Sequence, residues 1–347
     1  MMMRKKIFHL NITNFISVVI INKNMNISIL RNNYPKSHPW SIGSSLELKR
    51  NQVKPVHILN DKYFSLFRND NTISLIDDIC PHRGAKLSMG KVKNNCIECP
   101  YHGWLYDENG KLSHIPSHDN DHKPKRGNVM NYKLEENNFI WYFPDSRSIV
   151  EPPECKVLKD TKTWETIQGE EILDGNWMDW IMNGLDISHI NYVHEFADEE
   201  NGIVNDMQIS KVENGLQCTA SVIPKPVNFL TKSIQVEASS ICVEFIYPNT
   251  TCIRIKLKEP HEFITFTSIT PINENKTMMS WIFSYNFKIK DPMMQKYLKS
   301  ELIKEMKKTI RQDENIIKNI IPFDILDVNV PCDRFQLACL KMLLDKM

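Results

Sequence analysis

Cys80, His82, Cys99 and His102 are the residues whose types and spacing most directly specify chemistry. They read C-P-H and, after the sixteen residues from Arg83 to Glu98, C-P-Y-H-G-W. Two thiolates on one iron and two neutral imidazoles on the other suit a [2Fe–2S] cluster, whose potential this mixed ligation raises above that of an all-cysteine cluster. Two Cys and two His also suit tetrahedral zinc. A cluster, unlike zinc, asks for tight loops whose backbone N–H groups approach the sulfurs. Pro81, Gly84, Pro100 and Gly103 are the residues for such turns. Cys96 forms a C-x-x-C with Cys99; because Cys99 is claimed as a ligand, Cys96 is expected to be a buried strand residue.

A second constellation lies between Asn176 and His194, N-W-M-D-W-I-M-N-G-L-D-I-S-H-I-N-Y-V-H. Asp186 and His189 are three apart and share a helix face. His189 and His194 are five apart, about 140° on an ideal helix, so two ligands to one metal require the helix to end or bulge between them. Two His and one carboxylate hold mononuclear Fe(II) with positions open for O2 and substrate. The carboxylate is sought in the last long helix. Its apolar stripe runs through Met294, Leu298, Leu302, Met306, Ile310 and Ile317, and Asp313 falls on it. A lone buried Asp is costly, and metal ligation explains it. Glu314 is one position round, towards the Lys-rich face. Without a metal, the two histidines read as ordinary surface residues and Asp313 as solvated.

The elements that position these residues fall into two patterns. From about Pro39 to Pro144 short strands alternate with turns, including Val53–Leu59, Tyr63–Arg68 and Thr72–Ile76. This predicts a small all-β domain with the cluster at its loop tips. Pro144 to Pro153 reads as a linker. A strand at Trp164–Glu171 and a helix from Gly175 to about His189 follow. Long strands come next, at Gln208–Val212, Leu216–Val222, Ile234–Tyr247, Thr251–Leu257, Phe263–Ile269 and Met278–Phe287, and then a helix from about Pro292 to Ile321. The second domain is therefore α+β, an antiparallel sheet flanked by helices. The expected division is 1–35 as a leader or upstream extension outside the fold, 36–150 as the cluster domain and 151–347 as the catalytic domain.

Composition bounds the rest. The net charge of +1 gives no argument for nucleic acid as a partner, and 41% hydrophobic content supports ordinary cores. Of nine cysteines, the seven outside the ligand pattern are scattered, which fits a reducing, cytoplasmic setting. The apolar run Ile7 to Ile21 is interrupted by Asn11, Thr13 and Asn14, so no transmembrane segment is expected and a targeting leader is the alternative. His114, His118 and His122 recur every four residues around Pro116 and read as an exposed loop, while Asp324, Asp327 and Asp333 read as surface or cap residues.

With both constellations in view, the chain resembles the terminal oxygenase component of Rieske non-haem iron oxygenases. The likeness runs from about Pro39 to the C-terminus and rests on C-P-H-R-G…C-P-Y-H-G-W, N-G-L-D-I-S-H-I-N-Y-V-H and R-Q-D-E-N-I-I. The N-x-L-D-x-S-H form is most similar to the vanillate O-demethylase and pheophorbide a oxygenase branch, and C-I-E-C-P-Y-H-G-W is also similar to sterol 7-desaturases. The resemblance implies a Rieske β domain followed by a helix-grip-like catalytic domain. It implies that Cys80, His82, Cys99 and His102 hold a [2Fe–2S] cluster and that His189, His194 and Asp313 hold Fe(II). It casts Asp186 as the bridging carboxylate, hydrogen-bonded to an iron-ligand His and to a Rieske His of the neighbouring subunit in a homotrimer. O2 and a small apolar ring-containing substrate would be hydroxylated, demethylated or desaturated.

No G-x-G-x-x-G occurs among the 11 glycines, so a separate NAD(P)H reductase or ferredoxin is the expected electron donor. Plastid members of the branch carry C-terminal membrane helices and a C-x-x-C, whereas Cys332 and Cys339 here are seven apart. Met182 stands where an acidic residue is usual. The alternative is a Rieske electron carrier without oxygenase activity. Respiratory Rieske subunits add a cysteine to each loop, where this chain has Ala85 and Tyr101, and a ferredoxin would end near residue 150. A homologue with a regulatory role is a third reading, against which every ligand position is intact.

Overall fold

The computed structural model describes residues 27–60, 62–70, 72–118, 124, 126–195, 204–222, 239–257, 260–321 and 329–347. Helix α1 (Ile27–Asn32) leads into short strands: β1 (Trp40–Ser44), β2 (Gln52–Ile58), β3 (Lys62–Arg68), β4 (Ile73–Asp77), β5 (Lys91–Lys93), β6 (Cys96–Glu98), β7 (Leu105–Tyr106), β8 (Leu112–His114), β9 (Asn131–Tyr132), β10 (Leu134–Glu136) and β11 (Phe139–Tyr142). These pair as β2-β3-β4-β9, β5-β6-β7-β8 and β1-β11-β10. The first cluster loop follows β4 and the second joins β6 to β7.

The C-terminal half contains β12 (Glu165–Asp174), α2 (Trp177–Leu185), α3 (Ile190–Val193), β13 (Asn205–Val212), β14 (Gly215–Val222), β15 (Ser239–Ile246), β16 (Thr250–Lys256), β17 (Glu262–Asn273), β18 (Lys276–Tyr285), α4 (Pro292–Ile317) and α5 (Arg334–Lys346). Its strands form one antiparallel sheet in the order β12-β18-β17-β16-β15-β14-β13. The period-two alternation of side chains gives this sheet two buried faces. Cys218, Val243, Ile253, Thr265, Phe283 and Ile167 are successive cross-strand partners on one face. Apart from Thr265 they share a core with α2, α4 and α5. Cys252, Phe266 and Ile282 lie on the other face and pack with Phe139, Trp141 and Phe143 from the end of the N-terminal half.

Polar contacts reinforce that second junction. Ser41 Oγ donates to Ser280 Oγ at 2.6 Å, and Thr270 Oγ1 donates to Ser41 O at 2.6 Å. Lys54 of β2 pairs with Glu170 of β12, whose Oε2 also accepts from Ser44 N at 3.1 Å.

Several boundaries differ from the sequence reading. Leu30 and Arg31, assigned there to an extension outside the fold, pack on the catalytic half. Leu30 is fully buried, Trp177 Nε1 donates to its carbonyl at 3.1 Å, and Arg31 pairs with Asp179. The helix expected over 175–189 stops at Leu185, because Asp186 turns extended (φ −85, ψ 115). The helix expected to reach Ile321 stops at Ile317, and Met294, placed on its apolar stripe, is half-exposed. Helix α5 had no counterpart in the sequence reading. Residues 1–26, 234–238, His122, Asp324 and Asp327 lie outside the described residues. Among the described residues no helix is long and apolar enough to cross a membrane.

Candidate metal centres

The two N-terminal loops are copies of one backbone device. Cys80 N donates to Ala85 O at 2.9 Å and Gly84 N to Cys80 O at 2.9 Å; Cys99 N donates to Trp104 O at 2.9 Å and Gly103 N to Cys99 O at 3.1 Å. Closing each turn needs a residue in the left-handed region, and Gly84 (φ +74) and Gly103 (φ +70) occupy it. The turns bury both cysteines and set the His82 and His102 rings 4.6 Å apart. His82 stacks on Trp104 at 4.4 Å, and Tyr101 tilts over His102 at 3.8 Å.

Burial pushes the Cys99 thiol up, while the backbone N–H groups of Tyr101 and His102 at its sulfur act in the opposite direction. Tyr106 Oη lies 3.2 Å from Cys80 Sγ. His82 Nδ1 is buried and has no hydrogen-bond partner. An orphaned ring nitrogen beside two buried thiols is the arrangement that a metal cluster satisfies. Cys96 is buried in β6.

The second group forms where α2, α3 and α4 meet. After Leu185 the chain leaves the helix, and Asp186 Oδ1 accepts from Ser188 N (2.7 Å), Ser188 Oγ (2.7 Å) and His189 N (3.3 Å). These bonds close a turn that leads into the one-turn helix α3, with His189 as its N-cap and His194, extended at φ −106, as its C-cap. The helix therefore ends between the two histidines. Both rings face α4, where Asp313 is buried on the stripe with Ile310 and Ile317. His189 Nε2 lies 3.5 Å and His194 Nε2 3.4 Å from Asp313 Oδ1. All three ligand atoms fall within 4.8 Å of one another. The 3.4 and 3.5 Å separations are short enough for donors that share one ion at about 2.1 Å, and two His with one carboxylate are the donor set of a non-haem Fe(II) site.

Burial disfavours the charged imidazole at both histidines. At His189 the hydrogen bond and charge of Asp313 outweigh it and hold the pKa above the ordinary value; at His194 burial prevails and the pKa is lowered.

Each ring is also held through its other nitrogen. His189 Nδ1 lies 2.7 Å from Asp186 O, and His194 Nδ1 lies 3.2 Å from Gln312 Oε1. The bond expected from the Asp186 carboxylate to the ligand histidine is made instead by its main-chain carbonyl. Asn183 Nδ2 donates to Asp313 Oδ1 at 3.3 Å. Sequence reasoning had no role for Gln312 or Asn183, although both stand inside the quoted motifs. Glu314, the weaker carboxylate candidate, turns away to accept from Asp174 N and Arg311. Of the remaining histidines, His57 stacks on Tyr63, while His38 and His261 meet Tyr247 and Phe287 edge-on.

Comparison with known proteins bears on both halves. Residues 38–133 match the Rieske [2Fe–2S] domain, and residues 173–346, half of the chain, match the vanillate O-demethylase oxygenase C-terminal domain. Cholesterol 7-desaturase of Caenorhabditis elegans is 31% identical over 179 residues, 46% of this chain and 38% of that protein. The oxygenase component of dicamba O-demethylase from Stenotrophomonas maltophilia is 33% identical over 141 residues, 39% of this chain and 40% of that protein. The chain thus spans about two fifths of the length of these relatives. The crystal structure of dicamba monooxygenase bound to dicamba shares the fold, with a TM-score of 0.74 and 21% identity over 90% of this chain and 97% of that one. The cofactors that go with these domains are one Rieske [2Fe–2S] cluster and one mononuclear iron. The β domain with its paired ligand loops, the sheet-based half with its His-His-Asp group and the two domain matches together establish that the chain belongs to the Rieske non-haem iron oxygenases, in the branch with a vanillate O-demethylase C-terminal domain.

Proposed function

We propose that this chain is a terminal oxygenase that uses O2 and electrons from a separate NAD(P)H-dependent reductase or ferredoxin to demethylate, desaturate or hydroxylate an apolar ring-containing substrate. The observation that carries the proposal is the convergence of His189, His194 and Asp313 behind a chain that also builds both Rieske loops. In this reading Cys80, His82, Cys99 and His102 hold the cluster, and His189, His194 and Asp313 hold Fe(II). When bound, the cluster supplies single electrons and the Fe(II) supplies the open positions at which O2 is activated.

The remaining work belongs to the chain's own groups. Asp313 supplies the one anionic ligand, and Asn183 fixes the direction of its Oδ1. Asp186 holds His189 with its main-chain carbonyl. Its carboxylate, partly exposed, would face a cluster histidine of a neighbouring subunit, and a head-to-tail homotrimer follows from that role. Met279, Trp281 and Phe283 on the helix-facing side of β18 are buried in the core of the same half and give it apolar bulk that suits an apolar substrate. The working division is a cluster domain over 36–150 and a catalytic domain over 151–347. The nine free cysteines support a reducing compartment such as the cytoplasm.

The test is turnover with a surrogate reductase across ring ethers, tetrapyrroles and sterols, scored as O2 uptake coupled to product. Substrate-dependent uptake with matching product supports the reading. Cluster reduction with no uptake on any of these classes favours an electron carrier.

A further inference from the structure

We propose that Gln312 is a positioning residue of the mononuclear site: its amide oxygen accepts the Nδ1–H of His194 and fixes the tautomer that presents Nε2 beside Asp313. This rests on the iron reading above and adds to it the residue that sets one ligand's orientation.

Gln312 directly precedes Asp313 on α4. Neighbouring residues on a helix project about 100° apart. One turn of α4 can therefore aim a carboxylate at the front of the imidazole and an amide at its back. The distances show that arrangement. Asp313 Oδ1 lies 3.4 Å from His194 Nε2, and Gln312 Oε1 lies 3.2 Å from His194 Nδ1.

The direction of the bond follows from the other end of the amide. Gln312 Nε2 donates to Glu195 Oε1 at 3.4 Å, and Lys308 Nζ donates to Glu195 Oε2 at 2.6 Å. A carboxylate can only accept, so the NH2 group faces Glu195 and the carbonyl oxygen faces His194. A flipped amide would set oxygen against the carboxylate. Facing a carbonyl oxygen, His194 Nδ1 must donate, and a neutral imidazole with its proton on Nδ1 carries its lone pair on Nε2.

His189 shows the contrast. Its Nδ1 is held by the main-chain carbonyl of Asp186, which no side-chain substitution removes. The two histidines are thus held at Nδ1 by different means, His189 by the main chain and His194 by a replaceable side chain. Partners of this kind tune affinity by about 10–100-fold in metal–histidine sites.

The experiment uses full-length protein carrying its Rieske cluster, depleted of mononuclear iron and titrated with Fe(II), and separately with Co(II), for the wild type, Gln312→Leu and Gln312→Glu, the last made in a Glu195→Gln background so that the new carboxylate does not face another. The visible spectrum of the cluster and the melting temperature report folding. Gln312→Leu is expected to weaken Fe(II) binding by about 10–100-fold, whereas Gln312→Glu, which keeps an acceptor, stays within about threefold of wild type. In the Co(II) form, proton NMR should show two shifted, exchangeable ring N–H signals in the wild type and the Glu variant. One of them should be lost to rapid solvent exchange in the Leu variant.

Wild-type affinity and both N–H signals in folded Gln312→Leu would overturn the role of Gln312 and leave the iron reading standing. So would a folded Gln312→Glu that fails as the Leu variant does. If the wild type takes up neither ion at this site, the iron reading itself is overturned. Should Gln312→Leu not fold, Gln312→Ala carries the same outcomes.

Discussion

Asn183 Nδ2 donates to Asp313 Oδ1 at 3.3 Å, joining residues 130 apart in sequence. The same oxygen faces both histidine Nε2 atoms, at 3.4 and 3.5 Å. The bond ties α2 to α4 at the point where the three candidate ligands converge, so Asn183 fixes the direction of the Asp313 carboxylate without itself joining the group. Replacing it with Leu is expected to lower Fe(II) affinity by about tenfold while leaving the Rieske spectrum unchanged. Iron retained against a graded chelator measures this, and wild-type retention would contradict it.

Asp186 has two separable jobs. Its Oδ1 closes the turn before α3, and in the proposed function its charge would serve the contact with a neighbouring subunit's cluster. Asn keeps an acceptor for the turn, whereas Ala removes it. Asp186→Asn is therefore expected to retain mononuclear iron yet turn over far more slowly. Asp186→Ala should lose iron as well, because the turn that carries His189 loses its side-chain acceptor. Iron content measured beside steady-state O2 uptake separates the two, and an Asp186→Ala enzyme with both metals and wild-type turnover ends the bridging assignment.

Lys54 and Glu170 pair across the junction of the two halves with side chains 24% and 21% exposed. Burial holds the Lys54 ammonium below its ordinary pKa, so losing its partner is costly. Glu170→Gln should destabilise the protein by about 1–3 kcal/mol, and adding Lys54→Met should recover part of that loss. Denaturant melts of the single and double variants test this; additive losses would show that the pair is uncoupled.

His38 is half-buried, edge-on to Tyr247 at 4.8 Å, and Lys346 from the end of α5 lies over the same tyrosine at 4.6 Å. Burial, with the charge of Lys346, holds its pKa below the ordinary 6.5. The sign follows: the contribution is fully present above pH 6.5 and lost as the pH falls through the lower folded value. His38→Phe should therefore show a smaller drop in melting temperature between about pH 7.5 and 5.5 than the wild type. Parallel drops in the two proteins would remove His38 from the acid response.

The grouping of the candidate site residues was legible where residue types are demanding. Gly84 and Gly103 sit at the left-handed positions that the paired loops require, and Asp313 could be found because an acid on an apolar stripe needs a reason. The long strands were legible too, since β16 to β18 are runs rich in β-branched and aromatic residues. Helix α1 was obscured by its basic and apolar preface, although Leu30 packs into the core. Helix α5 was missed because its thirteen residues mix Phe335, Leu337, Cys339, Leu340 and Leu343 with charges in a weak stripe, which becomes definite only against β14. The stop at Leu185 depends on Asp186 bonding two and three residues ahead, a local competition that helix periodicity does not register.

The central claim is that one chain holds both a Rieske cluster and a mononuclear iron. Iron and acid-labile sulfide counted per chain, in the wild type and in Asp313→Ala, test it most directly. The account predicts about three irons and two sulfides in the wild type, and about two and two in the variant with the Rieske spectrum intact. About two irons and two sulfides in both proteins would contradict it and leave a cluster without a catalytic partner.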